Sequence, residues 1–335
     1  MSDDNTKRSA RTIAALADPL PNTPTQKEME AVVNRSVRAS AQRMRGCAYR
    51  ALLDETPLAQ FGDRAAVATI MHGLQGARSL EILDLGFDDG RVWESLIVRL
   101  GRLPIVPTLF VSAVRDTGSD QDSVYRDAIF RLNAAATAHH VPFDLSFSTI
   151  APVDWPGPFA KRGHRLFVNA GFSLHHIPDD GFDDASARQQ VLHRVRALHP
   201  DLLFVAEPDF GPFAERRGGF GEAQDPAQMV VDAIEDMTPR PLFDDKTPTP
   251  IQSYELILRG EKVQGTRPEM ADRLENWRRR IGRANFIPLD ITPLRGAIVG
   301  DMKLPVRAVI APDGRALRLC WKGKALVNVS AWLPG

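Results

Sequence analysis

The sequence has few cysteines, no excess of charge of either sign and no long apolar run, and each of these absences excludes a class of protein. Its two cysteines, Cys47 and Cys320, cannot form a disulfide framework of the kind that holds small secreted domains together. The 42 basic side chains balance 42 acidic ones, which argues against direct nucleic-acid binding through a broad basic surface. The longest apolar stretch, residues 103–114, is too short to span a bilayer and is interrupted by Pro104 and Pro107.

What remains is an ordinary globular composition. The chain has 335 residues, of which 43% are apolar and 25% are charged, so it can bury a large core and has room for roughly two domain-equivalents. It starts with a polar segment that carries two early aspartates, which does not fit a signal peptide. We therefore expect a cytoplasmic protein that does not associate with a membrane.

Three regions follow one another along the chain. Residues 1–24 are polar and end in a cluster of prolines, which predicts a mobile tail. Residues 25–75 show apolar side chains at helical spacing and predict two helices, which we assign to a helical cap. Residues 76–335 form the predicted core, interrupted at about 211–250 by a segment rich in glycine, proline and acidic residues that we interpret as a cap insertion.

Strands and helices alternate from residue 80 onward. Short apolar runs separated by helical patterns are typical of parallel strands covered on both faces. The last runs are separated by turn-forming residues and predict an antiparallel meander. The fold class is therefore α/β, a Rossmann-type doubly wound, mostly parallel sheet with antiparallel C-terminal strands and an α-helical cap. The predicted strands are 80–85, 108–114, 143–150, 166–169, 202–205, 306–310, 315–321 and 325–329.

A glycine turn follows the first predicted strand and is the candidate cofactor site. Asp84 ends the strand, and Gly86 and Gly90 allow a close approach to the backbone. An acidic residue at this position lies near the ligand amino group in S-adenosylmethionine folds, and Asp116 stands near the end of the second strand. Asp88 occupies the position where a typical methyltransferase has glycine. Two interpretations remain open here, S-adenosylmethionine binding and a purely structural turn.

A second candidate site follows the fourth and fifth strands. His175 and His176 come after the fourth, and Glu207 ends the fifth, all at the edge where ligands bind in this class of sheet. A neutral imidazole could accept a proton during methyl transfer, and Glu207 could orient it. The alternative is structural: one histidine packs, the other orients the loop, and Glu207 belongs to a solvated turn. His139 and His140 end a different helix, so we expect no metal site.

Another helix is predicted to start near residue 268, with Met270, Leu274, Trp277 and Ile281 on its apolar face. The run Arg278–Arg280 lies outside that stripe, and we interpret it as a solvated helix face.

Several segments together resemble the GRAS family. Residues 83–96 are similar to its Ile-Asp-Phe-Gly turn followed by Gly, Trp and Ser-Leu, a stretch that also lacks the middle glycine. The closing segment resembles the family's Ser-Ala-Trp motif, which is the most specific of the set. The remaining matches are Asn169 with Leu174-His175-His176, residues 194–200, Val205-Ala206-Glu207, residues 275–280 and Ser330-Ala331-Trp332.

The resemblance implies a methyltransferase-like Rossmann fold with a helical cap, in a compact member of the bacterial type. Such members resemble small-molecule methyltransferases or ligand binders, whereas plant members are regulators that work through protein partners. Three functions are therefore open. The chain methylates a small molecule held between core and cap, or binds a ligand without transfer, or acts in transcription through a protein partner. The partner in the assembly is either another protein or a second copy of this chain.

Overall fold

The computed structural model describes residues 57–87, 89–114, 122–148, 165–177, 184–209, 232–233, 236, 273–300 and 306–335. Within these ranges helices separate most of the strands up to Pro208, and the later strands pair antiparallel. The helices are α1 (Pro57–Leu74), α2 (Arg91–Leu100), α3 (Asp122–Ala138), α4 (Ala187–Ala197), α5 (Leu274–Arg283) and α6 (Arg295–Val299), with 3-10 turns at Leu174–His176 and Thr292–Leu294. The strands are β1 (Ser79–Asp84), β2 (Thr108–Val114), β3 (Phe143–Ser148), β4 (Arg165–Gly171), β5 (Leu202–Pro208), β6 (Phe286–Pro288), β7 (Val306–Ile310), β8 (Leu317–Trp321) and β9 (Lys324–Pro334).

These strands form one mixed sheet in the order β3-β2-β1-β4-β5-β9-β8-β7, with β6 paired to β9. The first five run parallel, and β9, β8 and β7 are added antiparallel to the edge of β5. The parallel order reverses direction between β1 and β4, which puts the carboxyl ends of β1 and β4 at the switch point where ligands bind in open α/β sheets. This confirms the predicted fold class.

Burial explains why the central strands have near-continuous apolar sequences. All of β1 after Ser79, and β5 from Leu202 to Glu207, are buried because helices cover both faces of the sheet. The edge strands β3 and β7 instead alternate between more buried and more exposed residues. The pattern of each strand therefore reports its position in the sheet.

Two apolar layers lie on opposite faces of the sheet. On one face α1, α2 and α3 pack with Ile82 and Phe204. On the other face α4 and α5 pack with Leu83 and Val205.

The structure adds two details to the sequence prediction and corrects another. Helix α1, assigned to the cap, packs directly on β4, β5 and β9. The arginine run is not a solvated face throughout, because Arg280 is buried and donates to Ser186 Oγ at 3.4 Å. The predicted meander continues the main sheet, since β9 pairs with β5 along six residues. The tail, the first cap helix and almost all of the 211–250 segment lie outside the described residues.

Candidate functional site

The carboxylate of Asp84 lies at the carboxyl end of β1 and is enclosed by its own neighbours. It is 1% exposed. Its Oδ1 accepts hydrogen bonds from Asn169 Nδ2 at 2.9 Å and from the Gly86 backbone at 3.3 Å. Its Oδ2 accepts one from Trp93 Nε1 at 2.7 Å. Burial raises the pKa of Asp84 to about 6, and the three donors oppose that shift.

Side chains of the protein itself pack against the glycine turn. Phe87 is buried, and its ring stands edge-on to Phe147 of β3 with centroids 4.9 Å apart and also contacts Tyr125 of α3. A Cβ at Gly90 would lie 3.0 Å from the Phe87 ring, and one at Gly86 would lie 2.7 Å from Ser173 Cβ. The two glycines therefore serve close packing of the turn against the protein itself.

These contacts test whether the turn fits S-adenosylmethionine. A nucleoside ligand needs an accessible acidic group and a backbone surface left open by the glycines. Here Asp84 is fully engaged, and Phe87 and Ser173 occupy the space beside the glycines. The described part of the turn does not fit an adenosyl group, and binding of the cofactor stays a prediction.

A second acidic residue, Asp63 of α1, interacts with Asp84 and Asp89 at the switch point. Its pKa is raised to about 7, first by burial and then by repulsion from Asp89 and Asp84. Nothing in the periodicity of α1 indicates this role, because a single aspartate in a helix is normally exposed.

His175 and Glu207 form the second cluster. The imidazole Nδ1 donates to Glu207 Oε2 at 2.7 Å, and the Leu174 backbone donates to Glu207 Oε1 at 2.8 Å. Glu207 is fully buried and His175 is 7% exposed. The carboxylate therefore fixes the orientation of the imidazole and also anchors the 3-10 turn that carries it to the end of β5.

Arg188 of α4 holds the same turn from the other side. Its guanidinium donates to the backbone oxygens of Ile177, at 3.0 Å, and His175, at 2.9 Å. It is buried and lies over the Trp277 ring, 5.4 Å from the centroid. The sequence pattern does not indicate this role, because an arginine in an amphipathic helix is normally exposed.

The predicted site residues thus fall into two groups on opposite faces of the sheet. Asp84, Gly86 and Gly90 lie together at the switch point, and His175 and Glu207 lie together beyond β4 and β5. Asp88 and Asp116 lie outside the described residues, as does the side chain of His176. The parts of the chain that the structure describes hold no group of three or more His, Cys, Asp or Glu side chains arranged to hold a metal ion.

The architecture and the motifs have counterparts among known proteins. The model of the GRAS domain family matches residues 1–333. The chain belongs to the GRAS domain family.

Its relatives in this family include plant proteins. Scarecrow-like protein 1 of Arabidopsis thaliana is 26% identical over 308 residues, which cover 85% of this chain and 50% of the relative. Scarecrow-like transcription factor PAT1 of Arabidopsis thaliana is 26% identical over 305 residues, covering 84% and 59%. The chain therefore spans about half the length of the first of these relatives, and somewhat more of the second. The SCL7 structure from Oryza sativa superposes with a TM-score of 0.69 at 18% identity, covering 89% of this chain and 86% of SCL7, which shows the shared fold.

The motifs that resemble the GRAS family have structural roles in this member. Asn169 joins β4 to Asp84 of β1, and Trp93 joins α2 to the same carboxylate. In the closing motif, Trp332 is buried and donates to Ser330 Oγ at 3.0 Å within β9. Among the described residues, no helix is long and apolar enough to cross a membrane.

Proposed function

We propose that this GRAS protein regulates transcription by binding a ligand or a protein partner and does not transfer methyl groups. The observation that carries the proposal is the enclosed carboxylate of Asp84, whose two oxygens already accept three hydrogen bonds from the protein. Family membership supports the regulatory part, since one relative is named as a transcription factor.

Packing at the switch point supports the absence of transfer. Methyl transfer requires nucleophile, methyl carbon and sulfur to be aligned within an open pocket. The aromatic packing of Phe87 and the close approach of Gly86 to Ser173 support this part of the proposal, because they place the described part of the turn against the protein itself.

Thermal unfolding with S-adenosylmethionine or its demethylated product tests the first half of this proposal. A ligand at a hundred times its dissociation constant adds roughly 2.7 kcal/mol, so binding would be seen as a higher Tm. We expect no shift with either compound. A shift that Gly90→Trp abolishes would contradict the proposal.

Transcript profiles test the second half. Cells that express the chain should differ from cells without it in a defined set of transcripts, and Gly90→Trp, if it folds, should preserve that difference. Identical profiles with and without the chain would remove the regulatory function.

A small-molecule methyltransferase is the second candidate, and the His175–Glu207 pair is the observation that favours it. A carboxylate that orients an imidazole is a recurrent arrangement for proton transfer. Incubation of the protein with methyl-labelled S-adenosylmethionine and a cell extract would then label a small product, and Glu207→Gln would reduce the labelling.

A further inference from the structure

Strand β7 is the last strand of the sheet among the described residues, and it pairs with β8 alone. The Ala311 backbone donates to the Ala316 oxygen at 2.8 Å, which fixes the alternation of hydrogen bonds between the two strands. In an antiparallel pair only every second residue bonds to the partner strand, so the N–H and C=O groups of Ala308 and Ile310 point away from β8. These are the groups with which a further strand would pair.

A surface cavity of about 490 Å³ lies at the carboxyl end of β7, where Ile310 and Val299 of α6 supply its apolar lining. The other lining residues are Thr292, Arg295, Gly296 and Gly300. On a strand added beside β7, a side chain on the same face as Ile310 would lie about 5 Å from it. The cavity therefore offers space to one side chain of such a strand.

The charges beside the cavity are positive. Arg295 is exposed and forms no ion pair with the parts of the chain that the structure describes. Arg64 of α1 adds a second cation, since its Nη1 donates to the backbone oxygen of Val299 at 3.3 Å. None of the lining residues is acidic, and nearby Asp290 already accepts a hydrogen bond from the Thr292 backbone at 2.8 Å. The cavity therefore favours an anionic partner.

The opposite face of β7 has the same combination of an apolar and a cationic side chain. Val309 is 46% exposed, although it belongs to a strand. Arg307 is exposed beside it and, like Arg295, has no ion-pair partner among the described residues. Both faces of this edge therefore present apolar surface next to an unpaired positive charge.

We propose that the outer edge of β7 binds an extended, acidic segment of a protein partner, which pairs with Ala308 and Ile310 as an added strand. Main-chain hydrogen bonds hold such a segment, and its alternate side chains reach the cavity on one face and Val309 on the other. Two copies of this chain paired along the same edge would bring their arginines together, which disfavours a second copy as the occupant. This inference rests on the proposed regulatory function and names the class of partner.

A labelled peptide tests the proposal on the wild-type protein. Fluorescein-labelled Asp-Glu-Ile-Val-Ile-Asp-Glu has acidic ends and an apolar centre, so its anisotropy should rise saturably with protein concentration, and less steeply as salt is added. Lys-Lys-Ile-Val-Ile-Lys-Lys keeps the apolar centre and should not bind. Methylation of the three central amides of the acidic peptide removes donors to β7 and should weaken binding by roughly tenfold.

A variant that fills the cavity locates the site. Gly296→Leu adds a side chain where a Cβ meets no atom within 4 Å, so the protein should fold normally. It excludes the apolar side chain of the peptide and should weaken binding by roughly tenfold. Gly282→Leu is the matched control, because Gly282 is a helical glycine with equally open surroundings on α5, and it should bind as the wild type does.

Charge reversal tests the cations. Arg295→Glu combined with Arg307→Glu should weaken binding of the acidic peptide by roughly tenfold and allow the lysine peptide to bind. The control is Arg102→Glu, which reverses an exposed arginine between α2 and β2, towards the other end of the sheet. It should leave the binding of both peptides unchanged.

Four results would overturn the inference. They are equal binding of the acidic and lysine peptides, equal effects of Gly296→Leu and Gly282→Leu, a dimer in sedimentation that Gly296→Leu converts to a monomer, and no binding of the acidic peptide. The last would mean that Arg307 only protects an exposed edge from other chains. The proposed function fails separately, through a Tm shift with S-adenosylmethionine or through identical transcript profiles.

Discussion

The indole Nε1 of Trp93 donates a 2.7 Å hydrogen bond to Oδ2 of Asp84, which ties the first turn of α2 to the end of β1. The indole and the carboxylate are both buried, so the bond joins a neutral donor to an acid that has lost its water. In an accessible site this carboxylate would be available to a ligand. Here it is a connection between secondary-structure elements.

Trp93→Phe should destabilise the protein in a pH-dependent way. It leaves the Asp84 carboxylate with one donor fewer, which costs about 1–3 kcal/mol when the group is charged and less when it is protonated. Urea unfolding should therefore show a larger loss at pH 8 than at pH 5. Trp332→Phe is the control, because that buried indole donates to the neutral hydroxyl of Ser330. An equal loss at both pH values for Trp93→Phe would contradict the role given to the bond.

The raised pKa of Asp63 should make stability fall as the pH rises. The folded state holds the proton with a pKa of about 7, against 3.8 for the ordinary carboxyl group, because burial disfavours the charge. The folded state therefore binds more protons than the unfolded state between about pH 4 and 7, and the stabilisation is lost across that window. Asp84, with a pKa of about 6, contributes with the same sign.

Asp63→Asn isolates this contribution. The variant should match the wild type near pH 4 and exceed its free energy of unfolding at pH 8 by at least about 1 kcal/mol, since each pKa unit corresponds to roughly 1.4 kcal/mol. Urea titrations from pH 4 to 8 measure it, with Asp127→Asn on the exposed side of α3 as the control. A parallel pH dependence in Asp63→Asn and wild type would show that Asp63 is not responsible.

Arg188→Lys should loosen the turn that carries His175. Lysine cannot reproduce the two-carbonyl contact or the stacking on Trp277, so we expect a loss of about 1–3 kcal/mol. Hydrogen exchange at the Leu174 and Ile177 amides should become faster. On the same helix, Arg196→Lys changes more exposed bonds to Asn285 and Gly335, and it should leave those amides unaffected. Unchanged exchange in Arg188→Lys would contradict the anchoring role.

Gly86→Ala should destabilise the turn, because the new Cβ would lie 2.7 Å from Ser173 Cβ. Overpacking of this kind costs typically about 1–3 kcal/mol. Ser173→Gly in the same chain should recover much of the loss. Gly282→Ala in α5 is the control, since no atom lies within 4 Å of its added methyl group and helix propensity favours alanine. The measurement is the Tm of the wild type and the three variants. An unchanged Tm in Gly86→Ala would show that Ser173 moves aside without destabilising the protein.

The architecture was predictable from the sequence, because a strand with a continuous apolar sequence indicates a sheet that is covered on both faces. The run at 108–114 and the one at 306–310 match β2 and β7 in both bounds. The proximity of His175 and Glu207 was predictable as well, because strand order places the ends of β4 and β5 side by side. Strand β6 was not predicted, since three residues carry no periodicity.

Other parts of the site follow from contacts across the sheet that no local pattern contains. Trp93 reaches Asp84 from a neighbouring helix, and Asn328 meets Glu207 only because β9 is inserted beside β5. The hydrogen bond of the buried Arg280 depends in the same way on Ser186, the residue just before α4. Sequence periodicity predicts which face of a helix or strand a residue lies on. The residue that it contacts on a neighbouring helix or strand depends on tertiary packing, which the local pattern does not contain.

The position of β9 has a consequence for synthesis on the ribosome. Strand β5 ends at Pro208 and pairs with residues 327–332, so its outer edge has no partner until more than about a hundred further residues have been translated. At ordinary rates of synthesis this delay lasts on the order of ten seconds. During that time a strongly apolar strand presents unpaired amides and carbonyls to other nascent chains. We therefore expect the yield of folded protein to depend more on chaperone supply during translation than on the free energy of unfolding of the finished protein.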